Sequence, residues 1–336
     1  METLCNNFPS KLTFGHDAKR TLLVGAFALG TYQGVKLTGN FLAGVWKHLL
    51  RPGYDLKKRY ASDSSECWAV VTGAAMGIGK EYAKQLGRRG FNILAIDKDE
   101  SEMEKTQAEL SRLGIKVKTI IWDFGKISNA ESYEAFEKEL KNATNGLDIG
   151  ILVNNAAEFQ QESLDMISVD RLFRASSVNS LTPALLARYF IPKMLARYNN
   201  GLKSAIINVG TNAAEIQNPR YKFAVYGASK AYLHILSSGM REVWGDKIDI
   251  MTAIPRQTKT PMCPVDYCFT ATPRAHVNAI LSQLGHESET YGTMTHDIEY
   301  YMRFGMFGGF VIDNMIQWLN EGESKKLISA YERRMS

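Results

Sequence analysis

Tyr226 and Lys230 stand four residues apart in Y-G-A-S-K, so on a helix a phenol and an ammonium project from one face. A tyrosine titrates near pH ~10, and a positive charge close by favours the phenolate, so the pair suits proton exchange with a substrate oxygen. The spacing alone is common; a second cluster upstream gives it meaning. Val70 to Lys80 reads V-V-T-G-A-A-M-G-I-G-K, with Gly73, Gly77 and Gly79 between an apolar run and a helical one. Glycine lets the backbone turn tightly and approach a ligand, and the first turn of a helix presents unpaired N–H groups. Such a turn holds a pyrophosphate, although the spacing is G-x-x-x-G-x-G and not G-x-G-x-x-G. Asp97 follows about 20 residues later, where a carboxylate accepts from the adenosine ribose hydroxyls of NAD. Lys98, next to it, would instead suit the 2′-phosphate of NADP. A carboxylate repels a phosphate, so the reading leans to NAD.

These groups need a scaffold that brings residues 73, 97 and 226 to one edge. Strands are predicted at Trp68–Thr72, Asn92–Asp97, Lys116–Trp122, Ile149–Asn154, Ser204–Val209 and Asp249–Ile254. Helices are predicted between them, near Gly79–Arg89, Ser101–Leu113, Ala130–Lys141, Leu181–Tyr198 and Tyr226–Val243. Strand and helix alternate, which is the pattern of an α/β fold: one Rossmann-like, doubly wound parallel sheet with helices on both faces. Its ligand sits beyond the carboxyl ends of the strands. Ala275–Leu284 reads as a further helix and Tyr291–Thr295 as a short last strand.

The 336 residues, 45% of them apolar and 22% charged, suffice for one substantial core with extensions. The net charge of +5 comes without a basic run interleaved with aromatics, which argues against nucleic acid as a partner. Cys5, Cys67, Cys263 and Cys268 form no C-x-x-C pair and the six histidines no ligand pair, so no metal site is expected. The division read from the sequence is an N-terminal arm over 1–66, a catalytic domain over 67–295 and a helical C-terminal extension over 296–336. Leu22–Val35 and Leu37–Leu50 are apolar segments separated by Lys36, and Lys57, Lys58 and Arg59 follow. A central lysine argues against a single clean membrane span, and a membrane-embedded or interfacial anchor, or a helix packed against a membrane partner, fits better. Tyr300–Leu319, rich in Tyr, Met, Phe and Gly, could cover a substrate tunnel, lie in a membrane interface or pack on a partner.

The motifs together resemble the short-chain dehydrogenase/reductase family: T-G-A-A-M-G-I-G at Thr72–Gly79, Asp123, N-N-A-A at Asn154–Ala157, Asn179 and the Tyr226/Lys230 pair. R-P-G-Y-D-L-K-K-R-Y before the domain, W-A-V-V-T-G and G-L-D-I-G-I-L-V-N-N resemble the membrane-bound hydroxysteroid dehydrogenases and very-long-chain 3-oxoacyl-CoA reductases. The resemblance implies that Tyr226 exchanges the proton, that Lys230 holds the nicotinamide ribose and lowers the tyrosine pKa, and that Asn179 supports the lysine through a water. It implies that Asn154 fixes the fourth strand and that Asp123 meets the adenine. Gly73, Ala75, Gly77, Ile78, Gly79, Asn155, Ala156, Pro255 and Thr258 are the remaining cofactor-binding positions it implies, with Thr258 and Thr260 near the nicotinamide amide or pyrophosphate.

Three positions depart from the family. Asn208-Val209-Gly210-Thr211 replaces a serine pattern, so that Thr211 takes the catalytic serine's place with a stiffer hydroxyl, and Asn212 is a rival for it. Pro255 is followed by Arg256 where glycine is usual, and the N-N-A motif ends in Ala157. Two functions are consistent with this. One is an NAD(P)-dependent oxidoreductase at an internal membrane, acting on a lipid-like ketone or alcohol (a 3-oxoacyl-CoA or a steroid), located by resemblance at the endoplasmic reticulum and commonly dimeric. The other is an accessory, nucleotide-binding subunit of a membrane complex such as a respiratory one, at the mitochondrial inner membrane.

Overall fold

A computed structural model describes residues 16–61, 66–162, 164–214, 223–264 and 269–301, with side chains from residue 20 onward. The contacts divide the chain into two units, Met1–Arg51 and Pro52–Ser336. The predicted helical extension beyond residue 301, including most of Tyr300–Leu319, lies outside the described residues.

In the first unit, α1 (His16–Val45) runs without a break into a π-helical turn, Trp46–Leu50. The sequence divided this stretch at Lys36, but a lysine is a good helix former and the backbone continues through it. Its apolar side chains point outward all round, Leu23, Phe27, Val35 and Phe41 among them. Among the described residues, no helix is long and apolar enough to cross a membrane.

The second unit opens with α2 (Leu56–Tyr60), whose first turn is capped by the Asp55 side chain. Then come β1 (Cys67–Thr72), α3 (Gly77–Arg88), β2 (Asn92–Asp97), α4 (Glu100–Ser111), β3 (Val117–Ile121), α5 (Ala130–Thr144) and β4 (Asp148–Asn154). After these follow α6 (Val169–Ser176), a π-helical turn at Ser177–Leu181, α7 (Thr182–Asn199), β5 (Ser204–Val209), α8 (Ala224–Trp244), β6 (Ile248–Ala253), α9 (Pro273–Gln283), β7 (Glu289–Thr290) and α10 (Met294–Tyr300). The strands form one sheet in the order β3-β2-β1-β4-β5-β6-β7, every pairing parallel. The last strand is therefore two residues earlier than predicted. Gly292, with φ near 84°, turns the chain, and the Thr293 side chain then caps α10 where the sequence suggested strand.

Both faces of the sheet are covered, which is why the central strands are continuous apolar runs. Successive side chains alternate between two cores. Ala69, Val71, Ile93 and Ala95 pack with Tyr82 and Leu86 of α3 and with Val277 and Ile280 of α9. Val70, Leu94, Ile96 and Leu152 pack with Phe136 and Leu140 of α5 and with Leu186 and Phe190 of α7. Tyr60 is fully buried, and its hydroxyl donates to Asp249 Oδ2 at 2.7 Å, so that α2 is fastened to β6. The strand order reverses between β1 and β4, and their carboxyl ends open a crevice there.

Candidate active site

A cleft of about 820 Å³ lies at this crevice. Its floor is the turn between β1 and α3. Gly73 takes φ near 65°, a conformation that disfavours any side chain, and a Cβ on Gly79 would lie 1.9 Å from the Gly73 carbonyl oxygen. The N-N-A-A segment braces the turn. Asn155 Nδ2 donates to the carbonyls of Thr72 (3.0 Å) and Gly73 (3.2 Å), while Thr72 Oγ1 accepts from the backbone N–H of both Asn155 and Ala156 at 3.0 Å. No side chain caps the N-terminus of α3, and its first turn opens toward the cleft through Gly77 and Ile78. A dinucleotide fits this donor set: backbone N–H groups at a helix start, and glycines where a Cβ would block approach.

Gly73, Gly77, Ile78, Asp97, Lys98, Asp123, Asn155, Ala156, Tyr226, Lys230 and Pro255 all line the cleft. Ala75 and Gly79 are buried beneath it. The Ala75 N–H donates to Asp97 Oδ2 at 2.9 Å, and its carbonyl accepts from Thr106 Oγ1 at 2.9 Å. Asp97 therefore fastens the glycine turn as well as facing the cleft. Thr258 is buried and donates to the Arg256 carbonyl at 3.2 Å, and Thr260 forms the cleft wall in its place.

At the other end, α8 places Tyr226 and Lys230 on one face, as the spacing required. Lys230 is 1% exposed and its Nζ donates to the Val209 carbonyl at 2.8 Å. Burial pushes this lysine down to about 7 and the Tyr226 phenol up to about 12, opposed by a hydrogen bond from Thr211. The sequence reading had the lysine drawing the phenol down; burial prevails, and the phenol keeps its proton at neutral pH. Phe159 sets its ring edge against Tyr226, the centroids 5.1 Å apart. Thr211 is buried beside Tyr226, while Asn212 opens a short 3₁₀ turn, Asn212–Ala214.

Asn179 is fully buried in the π-helical turn. Its Oδ1 accepts from the Glu158 N–H (2.8 Å), and its Nδ2 donates to the Glu158 carbonyl (2.9 Å) and to Ser229 Oγ (3.0 Å). Its side chain thus holds the residue next to Lys230 and the chain leaving β4. Asn154 Nδ2 donates to Asn208 Oδ1 at 2.8 Å, and Asn208 Nδ2 to Ser237 Oγ at 2.8 Å, a buried line that locks β4 to β5 and α8.

Sequence reasoning did not single out three features. Arg174 of α6 grips the Asp123 carboxylate with two bonds (3.1 and 3.2 Å) and keeps that acid ionised below its ordinary range against the opposing effect of burial. Glu158, directly after N-N-A-A, places Oε2 3.6 Å from both Lys98 Nζ and Arg174 Nη2. Arg256 is buried and paired at 2.8 Å with Glu299 of α10, so the family departure after β6 is a buried tie between a cleft-side loop and a helix. Glu158 could have been found by its adjacency to the motif; Arg174 and Glu299 carry no local spacing signal.

A crevice with a glycine-turn floor and a Tyr/Lys pair on its wall defines a nicotinamide-dependent oxidoreductase. The short chain dehydrogenase family model matches residues 67–266, and the chain belongs to that family. It is an enzyme class that acts on CH–OH groups, interconverting carbonyl and hydroxyl with NAD(P). Among its relatives is the very-long-chain 3-oxooacyl-coA reductase let-767 of Caenorhabditis elegans, 31% identical, with 94% of this chain and 98% of the relative covered. Another is hydroxysteroid dehydrogenase-like protein 1 of Gallus gallus, 32% identical over 73% of this chain and 72% of that one. A solved 7beta-hydroxysteroid dehydrogenase shares the fold with a TM-score of 0.64 at 20% identity, covering 78% of this chain and 99% of that one.

Proposed function

We propose that the chain reduces the carbonyl of a long apolar substrate, a 3-oxoacyl-CoA or a ketosteroid, with Tyr226 as the proton donor. The observation that carries this is the Tyr226 phenol facing the cleft beside Lys230, set against Phe159 on a cleft wall that includes Met262 and Pro264. The bound dinucleotide would supply the hydride. Tyr226 gives its proton to the carbonyl oxygen, Thr211 orients the phenol and that oxygen, and Lys230 binds the ribose hydroxyls of the cofactor. Gly73, Gly77 and Ile78 receive the diphosphate, and Asp97 the adenosine ribose. Asp97, Asp123 and Glu158 outnumber Lys98 and Arg174 at the adenosine end, and the resulting negative rim favours NAD over NADP.

The apolar girdle of α1 suits adsorption to an internal membrane, with the endoplasmic reticulum as the site. The exposed apolar residues Val169 and Phe173 of α6 and Tyr232 and Ile235 of α8 suit a homodimer. The test is reduction of a panel of 3-oxoacyl-CoA thioesters and ketosteroids by purified protein. Tyr226→Phe should lower kcat by about 10²–10⁴-fold while leaving dinucleotide binding intact. A Phe variant as active as the wild type removes Tyr226 from the chemistry.

A further inference from the structure

The ion pairs at the adenosine end are unequal. Arg174 and Asp123 satisfy each other through two hydrogen bonds, and Gly125 lies so close that a Cβ there would sit 2.5 Å from the guanidinium carbon. This pair is a packed unit. Lys98 is different: its ammonium stem is 56% exposed at the cleft, and its ion pair is the 3.6 Å approach to Glu158 Oε2. The same oxygen is 3.6 Å from Arg174 Nη2, so one carboxylate serves two cations.

Glu158 cannot swing away by a loop motion. Its N–H and its C=O are both hydrogen-bonded to the Asn179 side chain, which is itself fully buried. The carboxylate is therefore delivered to the adenosine end by a fixed backbone. Asp97, whose two oxygens accept from the Ala75 and Asp99 N–H groups, adds a second fixed negative charge to the same rim.

We infer that Glu158 is the residue that sets the choice between NAD and NADP, by neutralising Lys98 and adding its own charge against a 2′-phosphate. This rests on the reading of the cleft as a dinucleotide site. With Glu158 ionised, the five groups carry one net negative charge, and Lys98 can meet a phosphate only by leaving its partner. With that charge removed, the rim is neutral and the lysine is released to the phosphate. Unlike Asp97, Glu158 has no bond to the glycine turn, so its side chain can be changed without loosening the floor.

The experiment is calorimetric titration of the full-length protein with NAD⁺ and with NADP⁺ at one fixed, low ionic strength. Glu158→Gln, of equal size, should shift the affinity ratio toward NADP⁺ by about tenfold, and the double variant Glu158→Gln with Lys98→Met should lose that gain. Lys98→Met alone leaves Glu158 with one cation fewer beside it and the rim more negative, so the ratio should move further toward NAD⁺. A ratio unmoved by Glu158→Gln overturns the inference, as does a ratio in Lys98→Met alone that is unmoved or moves toward NADP⁺. The second arm decides the matter even if the Gln variant does not fold. Failure of the wild type to bind either dinucleotide refutes the reading of the cleft itself, a result distinct from an unchanged ratio.

Discussion

Replacing Lys230 by methionine should stabilise the protein and abolish its activity, and the stabilisation should depend on pH. The lysine is 1% exposed, and its Nζ donates to the Val209 carbonyl at 2.8 Å. Burial lowers it from an ordinary 10.5 to about 7. A group lowered in the folded state binds fewer protons there than when unfolded, so wild-type stability rises with pH between about 7 and 10.5. Below that window the full cost of a buried ammonium is present; above it the cost is gone. At 1.36 kcal/mol per pKa unit the ceiling is about 5 kcal/mol. Methionine forfeits the bond to Val209, worth about 1–2 kcal/mol, which leaves an expected gain of about 2–4 kcal/mol at pH 6.5. Urea unfolding of both proteins at pH 6.5 and 9.5 checks it. The gain should shrink at the higher pH and also on adding dinucleotide, which would bind the wild type more tightly. A gain of the same size at both values, or a variant destabilised at pH 6.5, refutes the account of Lys230 as a strained, function-retained charge.

Gly79→Ala places a Cβ 1.9 Å from the Gly73 carbonyl oxygen and 2.4 Å from Asn155 Nδ2, so it should cost about 3 kcal/mol or more and abolish dinucleotide binding; an unaltered binding isotherm would contradict the floor described above. Glu299→Gln removes the carboxylate charge that pairs with the buried Arg256 at 2.8 Å, and should cost about 3–5 kcal/mol in denaturant unfolding. The double change Arg256→Met with Glu299→Leu should recover most of that loss, and strict additivity of the two would argue against a coupled pair. Asp249, held below the ordinary carboxylate range by Arg59 and Tyr60 despite the opposing effect of burial, contributes stability at neutral pH that is lost as pH falls through its folded value. Asp249→Ala should therefore lower the unfolding midpoint clearly at pH 7 and by progressively less in acid, read by thermal melts across that range.

Most of the scaffold was legible because its central strands are buried on both faces and so appear as unbroken apolar runs bounded by polar helices. Where that rule weakens, the pattern no longer marks the element. β7 has only two residues, Glu289 and Thr290, too short to leave a run, whereas the neighbouring Tyr291–Thr295 segment has the pattern of a strand. The π-helical turn at Ser177–Leu181 is invisible because its residues are compatible with an ordinary helix, yet it is where Asn179 sits. The chemical pair Tyr226/Lys230 was readable from local spacing, since one helix positions both. The Glu158 carboxylate between Lys98 and Arg174 was not, because three separate segments, the β2 end, the β4 exit and α6, must meet before it exists.

That meeting point links the two ends of the cleft through one side chain. Asn179 bonds to both backbone groups of Glu158 and, through the same amide nitrogen, to Ser229 Oγ, which in turn donates to the Tyr226 carbonyl at 2.8 Å. Ser229 stands between Tyr226 and Lys230 on α8, so the rigid element carrying Tyr226 is tied to the segment carrying the Glu158 carboxylate. Each of these bonds is inside the protein, where an unmade partner is costly, so none is given up cheaply. The consequence is that the register of α8 and the position of the β4 exit are set together. A change that frees either one displaces the other, and the distance between Tyr226 and the β4 exit at Glu158 is fixed by protein contacts in advance of any binding.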